Sequence, residues 1–455
     1  MQLSAHLAHL EGFARMSSNP DVIIVGAGAA GMAAAIELSR AGMKVLMLEA
    51  RDRIGGRMFT VRDPDGELPI ELGAEFVHGR PPEIWDRLRK TKVEPLEVIG
   101  EDWCARDGKL SPCDFFSAVE ELLKKMDDRG PDESFLEFVR RNCPDPAEEE
   151  TCNWARRYIT GFHAADPAEI SVHSLVKGAE AEKRIDGDRA FRIPGGYRWL
   201  VESFRQQLSD AGVIIHLHTV VESIFWRSGQ ITVHARTQHG SSVFETARVL
   251  VTLPLGVLQA AKQERGALEF SPELPDEKRA AIRNLAMGRV FRVTLSFRER
   301  FWDHMIGSNQ RPLSDARFLF ALQDPFPTWW TTMPEKWPII TGWAPFECAD
   351  RLSGKPEAFV REQAVHSLAA GLNVAQREVN DLCRAVYFHD WQSDPFSRGA
   401  YSYVKVGGDR AQQHLAAPIE QTLFFAGEAT DVTGNNGTVH GAIASGRRAA
   451  REILR

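Results

Sequence analysis

Three glycines and one carboxylate near the start of the chain have the types and spacing needed to hold a diphosphate and a ribose. Asp21-Val-Ile-Ile-Val25 runs into Gly26-Ala-Gly28-Ala-Ala30-Gly31, and Lys44-Val-Leu-Met-Leu48 stops at Glu49. Gly26 permits a tight turn, Gly28 lets backbone approach a pyrophosphate, and Gly31 lets a helix pack closely on a strand. The helix start next to Ala30 would face the phosphate charge, and Glu49 would accept hydrogen bonds from a ribose. Beyond it, Ala50-Arg51-Asp-Arg53-Ile-Gly55-Gly56-Arg57 offers backbone and guanidinium groups for a second pass along the diphosphate. Positioning these groups takes a strand, a tight turn, a helix and a second strand. Met32, Ala35, Ile36 and Ser39 fall on one helix face, as such a unit requires.

A second glycine-punctuated stretch lies near the other end. Phe424-Phe-Ala-Gly427-Glu428-Ala-Thr430 reads as a strand followed by a loop, and Gly437-Thr438-Val439-His-Gly441 reads as the start of a small-residue helix. Such an element closes over the far side of a ligand held by the first glycine loop. Between them lie Glu71-Leu72-Gly73-Ala74-Glu75-Phe-Val-His78-Gly79, Pro194-Gly-Gly-Tyr197 and Trp391-Gln-Ser-Asp-Pro-Phe-Ser-Arg-Gly-Ala400-Tyr401.

Taken in this order, these stretches resemble the FAD-dependent amine oxidase family of monoamine oxidases, polyamine oxidases and lysine-specific histone demethylases, over nearly the full length. The resemblance implies an α/β fold: a Rossmann-like FAD-binding domain joined to an α+β substrate-binding domain. It implies that Gly26, Gly28, Ala30, Gly31, Glu49, Ala50, Arg51, Gly56, Arg57, Leu72, Gly73, Ala74, Glu75, Val221, Trp391, Tyr401, Gly427, Glu428, Thr438 and Val439 surround FAD, with Val221 near adenine. In monoamine oxidases a cysteine occupies the position of Ala400 and bonds the flavin. Alanine has no nucleophile, so FAD should be held non-covalently.

The same resemblance names Arg292, His78, Tyr401, Glu75 and Trp391 as the groups around the reacting amine. Tyr401 matches an aromatic standing against the flavin, while its cage partner aligns with Thr438, so the two-tyrosine cage is incomplete. A tyrosine satisfied by a backbone carbonyl is the rival reading. His78 could orient or deprotonate an ammonium group, and Glu75 could attract a cation or pair with an arginine. Arg292 stands where the family generally has a lysine. A guanidinium there could hold a water, clamp a substrate carboxylate or pair with Glu75. The implied activity is oxidation of an amine C–N bond with oxygen reduced to hydrogen peroxide. An L-amino-acid oxidase and a catalytically silent FAD-bound module are the alternatives.

The rest of the chain bounds this reading. Its 455 residues, 43% apolar, suffice for two domains. They are expected as a discontinuous FAD-binding domain (20–80, 193–285 and 395–455) and a substrate-binding domain (81–192 and 286–394). Val213–Leu217, Gln230–Ala235, Arg248–Thr252 and Leu423–Phe425 read as scaffold strands, and about 80–192 reads as mostly helical. Arg289–Phe297 alternates, predicting a half-buried strand with one polar face. The net charge of −7 argues against nucleic acid or an anionic membrane as partner. A small-molecule amine and oxygen are the partners expected, with a homodimer left open. No metal cluster is evident. Met1–Pro20 looks amphipathic without secretory-signal features, and six cysteines without CxxC spacing read as reduced thiols in a cytoplasmic protein.

Overall fold

The structure, a computed structural model, describes residues 19–63, 68–106, 108–113, 115–143 and 148–455. The amphipathic reading of residues 1–18 lies outside them. Five short apolar runs, all fully buried but for Ile214–His216 at one edge, form a parallel sheet in the order Ile214–His216, Val45–Leu48, Val22–Val25, Val249–Val251, Leu423–Phe425. Continuous apolar strands of this kind are buried on both faces by helices. The helices Ala29–Arg40 and Val439–Ile453 cover one face, packed so closely that a Cβ on Gly446 would lie 2.1 Å from the Ala30 carbonyl oxygen. This is the Rossmann-like arrangement expected.

Gln230–Thr237 is not part of that sheet. It lies between Val220–Arg227 and Gly240–Thr246 in an antiparallel sheet, which Glu269–Ser271 extends in parallel. Its alternating burial, with Ile231, Val233 and Ala235 buried, suits a sheet with one solvated face.

A seven-stranded sheet runs in the order Cys383–Tyr387, Val290–Phe297, Ile339–Pro345, Thr328–Thr331, Ala316–Phe320, Glu101–Arg106, Lys109–Pro112. Two expectations change here. The region 80–192 contains the helices Pro82–Thr91, Phe115–Leu123, Phe135–Asn142, Glu149–Phe162 and Val172–Lys183, yet it also lends two strands to this sheet. Val290–Phe297 is buried along its whole length rather than half-buried. Its polar residues find partners inside: the Thr294 and Thr341 hydroxyls are 3.2 Å apart, and Ser296 Oγ donates to Asp63 at 3.3 Å. Alternation therefore marks two different buried surroundings and not a wet face.

The cysteines are also corrected. Cys104, within Glu101–Arg106, and Cys113, just after Lys109–Pro112, have Cα atoms 5.4 Å apart across the hairpin, and Cys143 and Cys152 connect the ends of two helices across 6.6 Å; both pairs are disulfide-bonded. Only Cys348 and Cys383 are free thiols. Neither pair has a recognisable local spacing, because the approach is made by the fold. Cysteine usage therefore lends no support to a cytoplasmic setting. Among the described residues no helix is long and apolar enough to cross a membrane. Alkylation of the denatured, unreduced protein should label two thiols and label six after reduction; mass spectrometry counts the adducts.

Candidate functional site

The glycine loop is built by contacts that exclude side chains at two glycines and leave a third open. Gly26 has φ +101°, and a Cβ there would come within 2.8 Å of Thr252 Oγ1; one on Gly31 would lie 2.2 Å from the Gly26 carbonyl oxygen. Any side chain would separate helix from strand. At Gly28 nothing lies within 4 Å of a Cβ, so the turn faces open space, and no side chain caps the helix Ala29–Arg40 that begins there. Its first N–H groups are left for an anion. The Glu49 carboxylate accepts from Ala27 N–H at 2.7 Å and Arg51 N–H at 3.0 Å, and its carbonyl accepts from Thr219 N–H at 2.8 Å. The strand carrying Val221 thus begins beside Glu49, although the Val221 side chain itself is core.

The second pass is anchored to the C-terminal loop. Gly55 N–H donates to the Ala27 carbonyl at 2.9 Å, and a Cβ on Gly56 would sit 3.3 Å from Gly28 Cα. Arg57 Nη1 donates to Glu428 Oε1 at 3.0 Å and to the Ala400 carbonyl at 2.7 Å. The other Glu428 oxygen accepts from Ser402 Oγ at 2.6 Å and Gly437 N–H at 2.9 Å, with Gly427 at φ +134°. Thr438 caps the final helix, its Oγ1 accepting from Gly441 N–H at 2.9 Å, so Val439 is that helix's first residue. Arg51 instead binds Asp394 at 2.8 Å. Burial alone would raise that carboxyl, but His389 and Arg51 hold it at about 2. A concave surface lined by Arg57, Leu253, Pro254, Gly427 and Glu428 adjoins the C-terminal glycine-rich stretch. An open turn, an uncapped helix start and facing glycines fit a dinucleotide laid between them.

Residues 71–75 connect this region to the seven-stranded sheet. Leu72 O accepts from Trp391 Nε1 at 2.7 Å, Ala74 N–H donates to the Arg57 carbonyl at 3.1 Å, and Gly73 O accepts from Arg292 Nη1 at 2.9 Å. A Cβ on Gly73 would overlap the Arg57 carbonyl oxygen at 1.9 Å. Glu75 is paired on both oxygens: Arg192 holds Oε1, while Arg292 and Trp330 Nε1 hold Oε2, the latter at 3.0 Å. Of the roles open to Glu75 and Arg292, mutual pairing is the one the fold adopts. Burial lowers Arg292 to about 10 and Arg192 to about 9. Burial also raises the neighbouring Glu71 carboxyl to about 7, against the Tyr197 N–H and the Arg292 charge. Arg192 and Trp330 carried no recognisable signal. Arg192 lies two residues before Pro194-Gly-Gly, and only the fold turns it toward Glu75.

An aromatic surface adjoins this cluster. Tyr401 OH donates to the Phe162 carbonyl at 2.7 Å, the backbone-satisfied arrangement. Phe162 meets His78 edge-on at 5.3 Å and stacks on Tyr158 at 5.3 Å. Burial holds His78 near 4, from the usual 6.5, so its imidazole is neutral. His440, unmarked in the sequence, is buried close enough for His78 to add to its own lowering. No described cluster of metal-ligating side chains falls here; one group, Asp132, His173 and Asp409, lies elsewhere.

Two outcomes follow from these charges. Glu75→Gln leaves two buried guanidiniums facing each other without a carboxylate. Urea unfolding should show a loss of about 3 kcal/mol or more. His440 titrates near 4 when folded and near 6.5 when unfolded, so its stabilising share is whole above 6.5 and lost as pH falls toward about 4. This amounts to roughly 3 kcal/mol across the window. His440→Gln should flatten the fall of the urea midpoint there.

The family described as flavin containing amine oxidoreductase matches residues 29–126 and 117–454. Polyamine oxidase 5 of Oryza sativa subsp. japonica is 28% identical over 480 residues, covering 99% of this chain and 90% of that protein. Lysine-specific histone demethylase 2 of Homo sapiens is 28% identical across 96% of this chain, which spans 53% of that protein. A solved structure of putrescine oxidase bound to putrescine shares the fold, with a TM-score of 0.78 at 22% identity and coverage of 96% of this chain and 99% of that one. Ala400 offers no nucleophile to a flavin, so FAD is held without a covalent bond. The chain belongs to the flavin-containing amine oxidoreductases, enzymes acting on CH–NH or CH–NH2 donors.

Proposed function

We propose that this protein oxidises the C–N bond of a small amine to an imine, which hydrolyses to an aldehyde and ammonia or a smaller amine, with oxygen as acceptor and hydrogen peroxide as product. The observation that carries the choice of amine over amino acid is the state of Arg292. One Nη is bonded to the Gly73 carbonyl and the other to Glu75, so both Nη atoms are already engaged, and the unpaired Nε is buried. The relatives named polyamine oxidase and putrescine oxidase agree with this reading.

Bound FAD supplies a two-electron acceptor for the amine's α C–H bond. The chain supplies the surroundings. Tyr401, Phe162 and His78 offer an aromatic wall against which an amine is desolvated, favouring its neutral, reactive form. The neutral His78 imidazole, held near 4 by burial, is too weak a base to take a proton from an ammonium group, but a ring nitrogen can accept a hydrogen bond from the amine and orient it. Arg292 and Arg192 outnumber the Glu75 between them, and with the neighbouring Glu71 carboxyl raised to about 7 the cluster carries net positive charge below that pH, suited to the negative charge that develops when oxygen is reduced.

Rapid anaerobic mixing of the yellow holoenzyme with monoamines, polyamines and α-amino acids tests this. Amines should bleach the flavin at least about tenfold faster than amino acids, a difference of roughly 1.4 kcal/mol in the barrier. Aerobic turnover should release peroxide in step with amine consumed. Faster bleaching by amino acids would establish the amino-acid oxidase alternative, and an inert flavin across the panel would establish the silent module.

A further inference from the structure

The loop of residues 425–430 is gripped from behind by the final helix. Its front is open: Gly427 has φ +134°, and a Cβ there would meet nothing nearer than the Leu253 carbonyl oxygen at 3.9 Å. Gly427 and Glu428 line the concave surface on that side. On the other side Ser445 Oγ accepts from Gly427 N–H at 2.9 Å. Arg448, three residues further on and thus on the same helix face, reaches both ends of the loop with one nitrogen. Its Nη2 donates to the Phe425 carbonyl at 2.7 Å and to Thr430 Oγ1 at 3.2 Å. That hydroxyl passes the constraint on, donating in turn to the Gly427 carbonyl at 2.9 Å, and donors in series strengthen one another.

The other arm of the guanidinium is moored to the body of the domain. Nη1 donates to the Ala416 carbonyl at 3.1 Å and pairs with Glu452, one turn along the helix, at 2.9 Å. Ala416 ends the short helix Ala411–Ala416, and Lys278 donates to the carbonyls on either side, those of Leu415 and Ala417. The Lys278 ammonium also lies 3.9 Å from the centre of the Phe425 ring. Two cations at this helix C-terminus thus take three successive carbonyls that lack partners within the helix. Arg448 spans from that fixed point to the loop, which takes a rigid fork of two separated nitrogens. Glu428, carried on the loop, holds Arg57, Ser402 and Gly437 from the front.

We propose that Arg448 is a positioning residue for FAD: acting through Thr430, it closes the loop of residues 425–430 and so fixes where Gly427 and Glu428 meet the dinucleotide. This goes beyond the amine-oxidising reading, since the cofactor must be retained whatever substrate the protein takes.

Release of FAD from the holoenzyme, followed without substrate by the rise in flavin fluorescence on dilution, tests this, with far-ultraviolet circular dichroism recorded on the same sample. Arg448→Met should release FAD at least about tenfold faster than wild type while the helical signal stays constant, the scale of one charge-assisted hydrogen bond. Arg448→Lys should not restore retention, because one ammonium cannot hold Ala416 and Thr430 at once. Thr430→Val leaves Arg448 and its other partners in place; it should speed release and alter the visible circular dichroism of the bound flavin. Thr430→Ser, which keeps the hydroxyl, should restore both. Release at the wild-type rate from folded Arg448→Met overturns the proposal. Should Arg448→Met lose its helical signal, the Thr430 pair decides: wild-type release and an unaltered flavin spectrum in Thr430→Val overturn it. Rapid release from Glu428→Gln alone overturns the role of Arg448 and keeps the loop at the cofactor, whereas slow release from every variant overturns both.

Discussion

Two guanidiniums share one carboxylate in the interior, and much of the molecule is arranged to make that tolerable. Arg192 and Arg292 come from separate stretches of chain and meet at Glu75; the Thr331 and Gly73 carbonyls accept from their other Nη atoms, Trp330 Nε1 donates to the same carboxylate, and both Nε atoms stay unpaired. Buried charge survives only when paired and hydrogen-bonded. Satisfying it requires the 71–75 segment to lie flat against Val290–Phe297, the sheet contributing Arg292 and Trp330. It also requires that segment to hold Arg57 and Trp391 from its other side. The same residues thus join the glycine-rich region to the seven-stranded sheet.

Legibility in the sequence followed distance along the chain. The glycine loop with Glu49 was readable because its constraints act within one strand-turn-helix-strand unit, and the open space at Gly28 is what that spacing predicts. The final helix and Glu428 were readable as punctuation for the same reason. The partners of Glu75 were not. A carboxylate that attracts a cation and one that holds two arginines look alike until tertiary contacts are made. Val290–Phe297 shows the limit of periodicity, which separates two surroundings without telling whether one is water. The strand Gln230–Thr237 was recognisable, but its sheet was not, since pairing partners are not encoded in one strand's pattern. The disulfides escaped because neither pair has a local signature.

The electrostatics of the aromatic region follow from burial of its titrating groups rather than from specific acids or bases, although Phe162 itself is exposed. His78 and His440 are kept neutral by burial, and Tyr401 keeps its phenol proton in a bond to a backbone carbonyl. Uncharged aromatic surfaces and a nearby fixed positive charge make different demands, and the fold separates them by elements. The helix Glu149–Phe162 and the Val77–His78 strand supply the first, and Val290–Phe297 supplies the second.

The parallel sheet has a consequence for how the protein is made. Its central strand, Val22–Val25, emerges from the ribosome among the earliest described residues, whereas its edge strand Leu423–Phe425, Glu428 and the helix against Ala30 emerge among the last. Arg57 cannot meet Glu428, nor can Ala29–Arg40 gain its neighbour, until the chain has been made through residue 453. The nascent chain must therefore shield an apolar sheet while the roughly four hundred residues between its central and edge strands are made.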